Sequence, residues 1–168
     1  DIEAAWLVEF AVDVLDSSGD AQEDETELFA EIRAISRVLE DAVLAEAIEE
    51  VLLEDGETVQ VHIHELTDGV KDRTRVWWVQ AEALAALINA GVKREDEAYF
   101  KQALALWHGI EHLFVDKRPF GEWHESLTPD NKAEHLPIAH PWKAFYHNGR
   151  ACLNVLRFFD LAEERFPL

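Results

Sequence analysis

Apolar side chains recur along most of this chain at three- and four-residue intervals, the period of helices laid against a core. Residues 1–15 read as a nearly all-round apolar helix (Ile2, Ala5, Trp6, Leu7, Phe10, Val14) broken by Ser17-Ser18-Gly19-Asp20. A second, amphipathic helix is predicted from about 24 to 53, with Leu28, Ile32, Ile35, Val38 and Leu39 on its apolar face. From Val59 to Leu66 the period changes to two, Val61 and Ile63 alternating with His62 and His64, which predicts a short strand or extended arm. Helices follow over 75–90, stopped by Gly91, and over 96–115. Residues 120–141 read as a long loop with a small hairpin around Glu122-Trp123-His124, and a last helix starts near Phe145 and ends before Pro167. No linker or second compositional zone interrupts the pattern, so 1–168 is expected to be a single, all-α domain. The segments 1–15 and 146–162 suit an inner layer, with amphipathic helices such as 96–115 packed outside.

One polar stripe interrupts the last apolar helix. His147, Arg150, Asn154 and Arg157 recur at helical spacing, behind the aromatic run Trp142, Phe145 and Tyr146. An imidazole titrates near neutrality, and beside a fixed cation and stacking rings it suits a polar ring substrate. A histidine near a helix start is also an ordinary structural hydrogen-bonder. In Val76-Trp77-Trp78-Val79-Gln80-Ala81-Glu82, helical geometry puts Trp78 and Glu82 on one face. A carboxylate beneath an indole suits sugar binding, where rings stack and carboxylates accept hydroxyl hydrogens; core tryptophans beside a paired charge are the plainer reading. Glu3 and Trp6 repeat the pairing three residues apart.

Composition narrows the partners. With 48% hydrophobic residues and six tryptophans the chain can bury a real core. Its 35 acidic against 15 basic residues give a net charge of -20, which repels phosphate backbones and argues against nucleic acid and anionic membranes. Cys152, the single cysteine, falls in the apolar helix and reads as a buried thiol. No signal peptide or membrane span is visible, and a cytoplasmic location is expected. Because the chain opens on Asp1 inside a helical pattern, it reads as a cut end.

His108-Gly-Ile-Glu111-His112 fits the H-x-x-E-H string of inverted zinc proteases. Three fixed positions recur often by chance, no third ligand is evident, and a polar pair on an amphipathic helix carries more weight. His62 and His64 share a face of the predicted strand and read as surface residues. No metal is assigned.

Four segments in order resemble one family: Asp1-Ile-Glu-Ala-Ala-Trp-Leu, Trp77-Trp-Val-Gln-Ala-Glu82, Asp116 through Gly121-Glu-Trp123, and Trp142 through His147-Asn-Gly-Arg150. They resemble the C-terminal half of the N-acylglucosamine 2-epimerase and cellobiose 2-epimerase family, the last segment favouring the cellobiose branch. The resemblance implies an (α/α)6 barrel and reversible epimerisation at C2 of a reducing mono- or disaccharide through an enediolate, without a cofactor. It implies that His147 is one of two catalytic histidines, and that Glu3 and Glu82 orient the substrate or the histidines. It further implies that Trp77, Trp78 and Trp142 stack on or wall the sugar. Arg150 is added from its position, as a partner of the enediolate or of the histidine. The second histidine belongs before Asp1, so the N-terminal half of the same protein is expected to complete the barrel, and the chain alone to be inactive. Aldose–ketose isomerisation of the mannose type shares the enediol. A non-catalytic sugar-binding module and the zinc hydrolase are the readings of other classes.

Overall fold

The computed structural model describes residues 2–17 and 23–165, with side chains described to residue 157. It divides into two compact units, Asp1–Glu46 and Ala47–Leu168. In the first, α1 (Ile2–Ser17) packs with α2 (Glu23–Glu46). Ile2, Ala5, Trp6, Glu9 and Val12 are buried at helical spacing along α1. Ser36 donates to the Ala5 carbonyl at 2.6 Å, and Arg33 binds Asp16 at 2.9 Å and Asp13 at 3.3 Å, joining the pair of helices.

The helix predicted to reach residue 53 ends at Glu46. Residues Ile48–Leu52 instead form β1, antiparallel to β2 (Thr58–His62), with Ile48 opposite His62 and Leu52 opposite Thr58. The cause is the turn Leu53–Glu57, where Gly56 takes φ +90° and Leu53 and Glu57 close a 2.8 Å hydrogen bond. A second hairpin follows from β3 (Glu65–Thr67) to β4 (Val70–Asp72). Its turn, Asp68-Gly69, has both residues at positive φ, as tight two-residue hairpins require.

Beyond these hairpins lies a helical layer. β5 (Arg75–Val76) pairs with β6 (Ser126–Leu127) and leads straight into α3 (Trp77–Arg94), buried along nearly its whole length. Gly91 does not stop this helix. A Cβ there would lie 2.9 Å from the Phe100 ring, so Gly91 lets α4 (Glu97–Gly109) approach closely, and the chain turns only at Glu95, in the left-handed conformation. Asp96 caps α4 by accepting from the Ala98 N–H at 2.9 Å. A π-helical turn, Ile110–Phe114, ends that helix. An antiparallel bridge between Val115 and Trp123 forms the small hairpin expected there, and α5 (Tyr146–Arg165) packs on α3.

Three surface expectations change. Leu153 and Leu156 are exposed, because among the described residues α5 is covered chiefly on its α3 side. Cys152 is exposed rather than buried, beside an apolar groove lined by Leu84, Ile88, Trp107 and Leu156. His62, read as a surface residue, is 1% exposed, because α4 and α3 both pack on β2. His64 does face solvent and binds Asp72 at 3.1 Å. No described helix is long and apolar enough to cross a membrane.

Gln80 locks β2 to α3: its amide oxygen accepts from the His62 N–H at 2.8 Å and its amide nitrogen donates to the His62 carbonyl at 2.9 Å. Burial, with Arg75 nearby, pushes the His62 imidazole down to about 4. The unfolded histidine protonates near 6.5, so between there and about pH 4 the unfolded chain holds more protons and stability falls as pH falls. The loss approaches the order of 3 kcal/mol by pH 4. In urea unfolding across this range, His62→Leu is expected to flatten that part of the pH dependence; an unchanged slope would refute it. At Gly109 a Cβ would lie 2.1 Å from the Gln60 carbonyl oxygen. Gly109→Ala is therefore expected to lower stability by about 1–3 kcal/mol, read as a lower urea midpoint.

Candidate active site

The site grows from the first turns of two helices. The β5–β6 pairing, with the Trp77 N–H donating to the Glu125 carbonyl at 3.0 Å, fixes where α3 starts. Trp77 is thereby buried and Trp78 half-buried, with Glu82 one turn beyond Trp78. From α5, His147 and Arg150 come from successive turns onto the same carboxylate. One oxygen of Glu82, Oε1, accepts from His147 Nδ1 at 2.6 Å and from Arg150 Nη2 at 2.5 Å.

The Glu82 side chain is 1% exposed. A carboxylate at that depth is tolerable only when paired and hydrogen-bonded, and here both conditions are met by α5. With the Nδ1 hydrogen committed to the carboxylate, the neutral imidazole carries its lone pair on Nε2, the form a general base needs. Aromatic rings surround the imidazole: Trp77 edge-on at 6.1 Å between centroids, Trp78 tilted at 5.7 Å, and Tyr146 at 3.8 Å. Arg150 lies over the Tyr146 ring at 5.2 Å.

Glu82, His147, Arg150, Trp77 and Trp78 are thus brought together. Trp142 is 86% exposed, on the tight return where His140 and Lys143 exchange backbone hydrogen bonds. Glu3 stands half-buried on the first turn of α1, in the other unit. Among the described residues, His108, Glu111 and His112 do not bring three donor atoms together. The π-helical turn separates them, His108 turns its Nδ1 to Glu57 at 2.8 Å, and His112 bonds the His108 carbonyl through its Nδ1.

The sequence reading gave Lys143 and Asn148 no role and placed Glu122 only in a substrate-facing loop or hairpin turn. Glu122 accepts from the Lys143 ammonium, from Asn148 Nδ2 at 2.5 Å and from the Trp123 N–H at 2.7 Å. The signal was a lysine and an asparagine flanking His147 within one aromatic segment. Nearby, Arg118 grips Asp116 at 2.7 Å and holds its carboxyl down at about 2, bracing the return that carries Glu122.

Residues 3–151 match the model of the N-acylglucosamine 2-epimerase (GlcNAc 2-epimerase) family. The chain belongs to this family. It is 39% identical over 157 residues to the cellobiose 2-epimerase of Ruminococcus albus, a match covering 93% of this chain and 36% of that protein. It is 35% identical to the cellobiose 2-epimerase of Dictyoglomus turgidum, over 94% of this chain and 36% of the relative. A solved sugar epimerase from a ruminal bacterium superposes with a TM-score of 0.72 at 36% identity, covering 94% of this chain and 36% of the other. The chain therefore spans about a third of the length of the relatives it matches, and its fold is that of part of an (α/α)6 barrel.

The tautomer assignment can be tested directly. Long-range proton–nitrogen spectra are expected to show the neutral His147 ring protonated on Nδ1. Glu82→Gln, whose amide oxygen is the weaker acceptor, should raise the Nε2-protonated fraction. A wild-type ring protonated on Nε2 would overturn the assignment.

Proposed function

We propose that this chain is the C-terminal part of an epimerase that interconverts C2 epimers of a reducing sugar, cellobiose or a related β-1,4-linked disaccharide. The observation that carries the reading is the buried Glu82 oxygen shared by His147 and Arg150. It sits inside a segment 39% identical to a cellobiose 2-epimerase.

In this reading His147 Nε2 takes the proton from C2 of the open-chain sugar. Loss of that proton throws charge onto the C1 oxygen as an enediolate, and Glu82 stabilises the imidazolium formed at the same moment. Arg150, tied to Glu82, is given the role of partner to the enediolate or to the histidine. Return of a proton to the opposite face of the planar intermediate gives the epimer. That step needs a second acid/base, assigned to the N-terminal remainder of a family member. Glu3 is given the role of orienting the substrate or a histidine. Trp77 and Trp78 wall the ring, and Trp142 stacks on the sugar from the solvent side. The sequence of proton transfers requires no cofactor. A cytoplasmic location goes with this reading.

The test is deuterium wash-in at C2, followed by proton NMR in D2O, with the longest polypeptide the gene encodes. Cellobiose, mannose and N-acetylglucosamine serve as substrates. Exchange is expected with cellobiose, and His147→Ala should reduce it by about 10²–10⁴-fold, the range of general acid–base catalysis. Mannose converted to fructose would replace epimerisation by aldose–ketose isomerisation. Sugar binding without exchange would make this a binding module, and the catalytic role of His147 would be withdrawn.

A further inference from the structure

We propose that Glu122 is a positioning residue for His147, acting through Lys143 and Asn148 on the first turn of α5; this rests on the epimerase reading above. Glu82 fixes the orientation of the imidazole ring. With Arg150 on the next turn it also sets the register of α5 against α3, and the start of α5 needs a second constraint. Glu122 supplies that second constraint from the other side of the helix start.

The geometry is economical. Lys143 lies four residues before His147 and Asn148 one after, so the two bracket it in the chain. Glu122 takes the Lys143 ammonium on Oε1, and on Oε2 it takes Asn148 Nδ2 and the Trp123 N–H. Three donors on one carboxylate leave little freedom for it to turn. The Lys143 side chain is 0% exposed. Its ammonium also donates to the Ile138 carbonyl at 2.8 Å and lies 5.8 Å from the centre of the Trp77 ring. One buried cation therefore ties together the loop before α5, the Glu122 return and the indole that stands edge-on to His147.

Stability alone is a poor reason for this arrangement. A buried ion pair is commonly replaceable by apolar side chains at no cost, whereas removing one partner leaves an uncompensated charge. What apolar packing does not supply is a directional link of defined length between Trp77, Glu122 and the backbone on both sides of His147. A base working on a C–H bond needs such a link, since a misplacement of about 1 Å can cost on the order of 100-fold in rate.

The experiment uses the longest polypeptide the gene encodes and follows C2 exchange with cellobiose in wild type, Glu122→Gln, Lys143→Met, Asn148→Ala and the double variant Glu122→Gln/Lys143→Met. In Glu122→Gln an amide NH2 faces donors. The expected result is a kcat about 10–100-fold lower with KM within about 2-fold, as for loss of other orienting partners. The His147 Nδ1–H signal should also broaden or shift, and the double variant should be little worse than either single one. Asn148→Ala removes one neutral donor and keeps the ion pair, so it serves if Glu122→Gln fails to fold, with a smaller fall in kcat expected. Folded Glu122→Gln or Asn148→Ala with unchanged kcat and an unchanged His147 signal would overturn the proposal. No exchange in wild type counts against the epimerase reading instead, and the His147 signal then decides the case of Glu122.

Discussion

A single carboxylate oxygen, buried on α3, decides how α5 must sit. Glu82 Oε1 receives both His147 and Arg150, residues one turn apart on the other helix. Leaving that charge unpaired in the interior costs far more than any surface contact returns, so the pairing acts as a registry constraint. The surroundings serve the same end. Trp77 and Trp78 precede Glu82 on α3, and the β5–β6 pairing sets where that helix begins. Shifting α3 by one residue would turn Glu82 away from α5 by about 100°.

The chain is strongly acidic, yet two of its scarce cations, Arg75 and Lys143, are buried and a third, Arg150, is part-buried. Arg75, Lys143 and Arg150 each bond a carboxylate, Glu49, Glu122 and Glu82 in turn. Each joins segments far apart in the chain: β1 to β5, the Glu122 return to the loop before α5, and α3 to α5. The net charge of -20 describes the surface and says little about this interior, where positive groups bind the architecture of the site together. An acidic surface repels anions; a neutral sugar is unaffected by it.

How far the sequence disclosed this depends on the kind of signal. Helices with long, sustained periods, α3 and α5, were legible, and so was the pairing of Trp78 with Glu82 on one face. The four ordered motifs disclosed the family, which the family-model match over residues 3–151 bears out. The segment after Glu46 was misread because Ile48, Val51 and Leu52 fit a helical period over so short a stretch as well as a strand. The deciding signals were local: Asp55-Gly56 and Asp68-Gly69, both hairpin dipeptides, each at a turn. Gly91 was misread for the opposite reason. Its role lies in a contact with Phe100 on another helix, and no local rule reports that. His62 was read as a surface residue and Lys143 was given no role, because burial of a polar side chain is a property of what packs over it. For Cys152, Leu153 and Leu156 composition pointed inward, while the described structure leaves that side of α5 open.

Exposure rises away from Glu82, and in the proposed epimerase reading this gradient sets the side from which a sugar reaches His147. The carboxylate is sealed, His147 is nearly so, Arg150 is 29% exposed, and Tyr146 and Trp142 stand largely in solvent. A base arranged in this way keeps its Nδ1 side dry and fixed. In the proposed reading, substrate meets the Nε2 side, past the aromatic rings. In that reading the rings do two things at once: they offer apolar faces for a pyranose to stack on, and they exclude water from the imidazole when it does. The proposed proton abstraction from carbon would benefit from both. Water at Nε2 would compete for the lone pair, and water around Glu82 would weaken the charge that stabilises the imidazolium. The sealed carboxylate, nearly sealed imidazole and exposed aromatic rim thus form one arrangement, and the burial of Glu82 is the condition on which the other two depend.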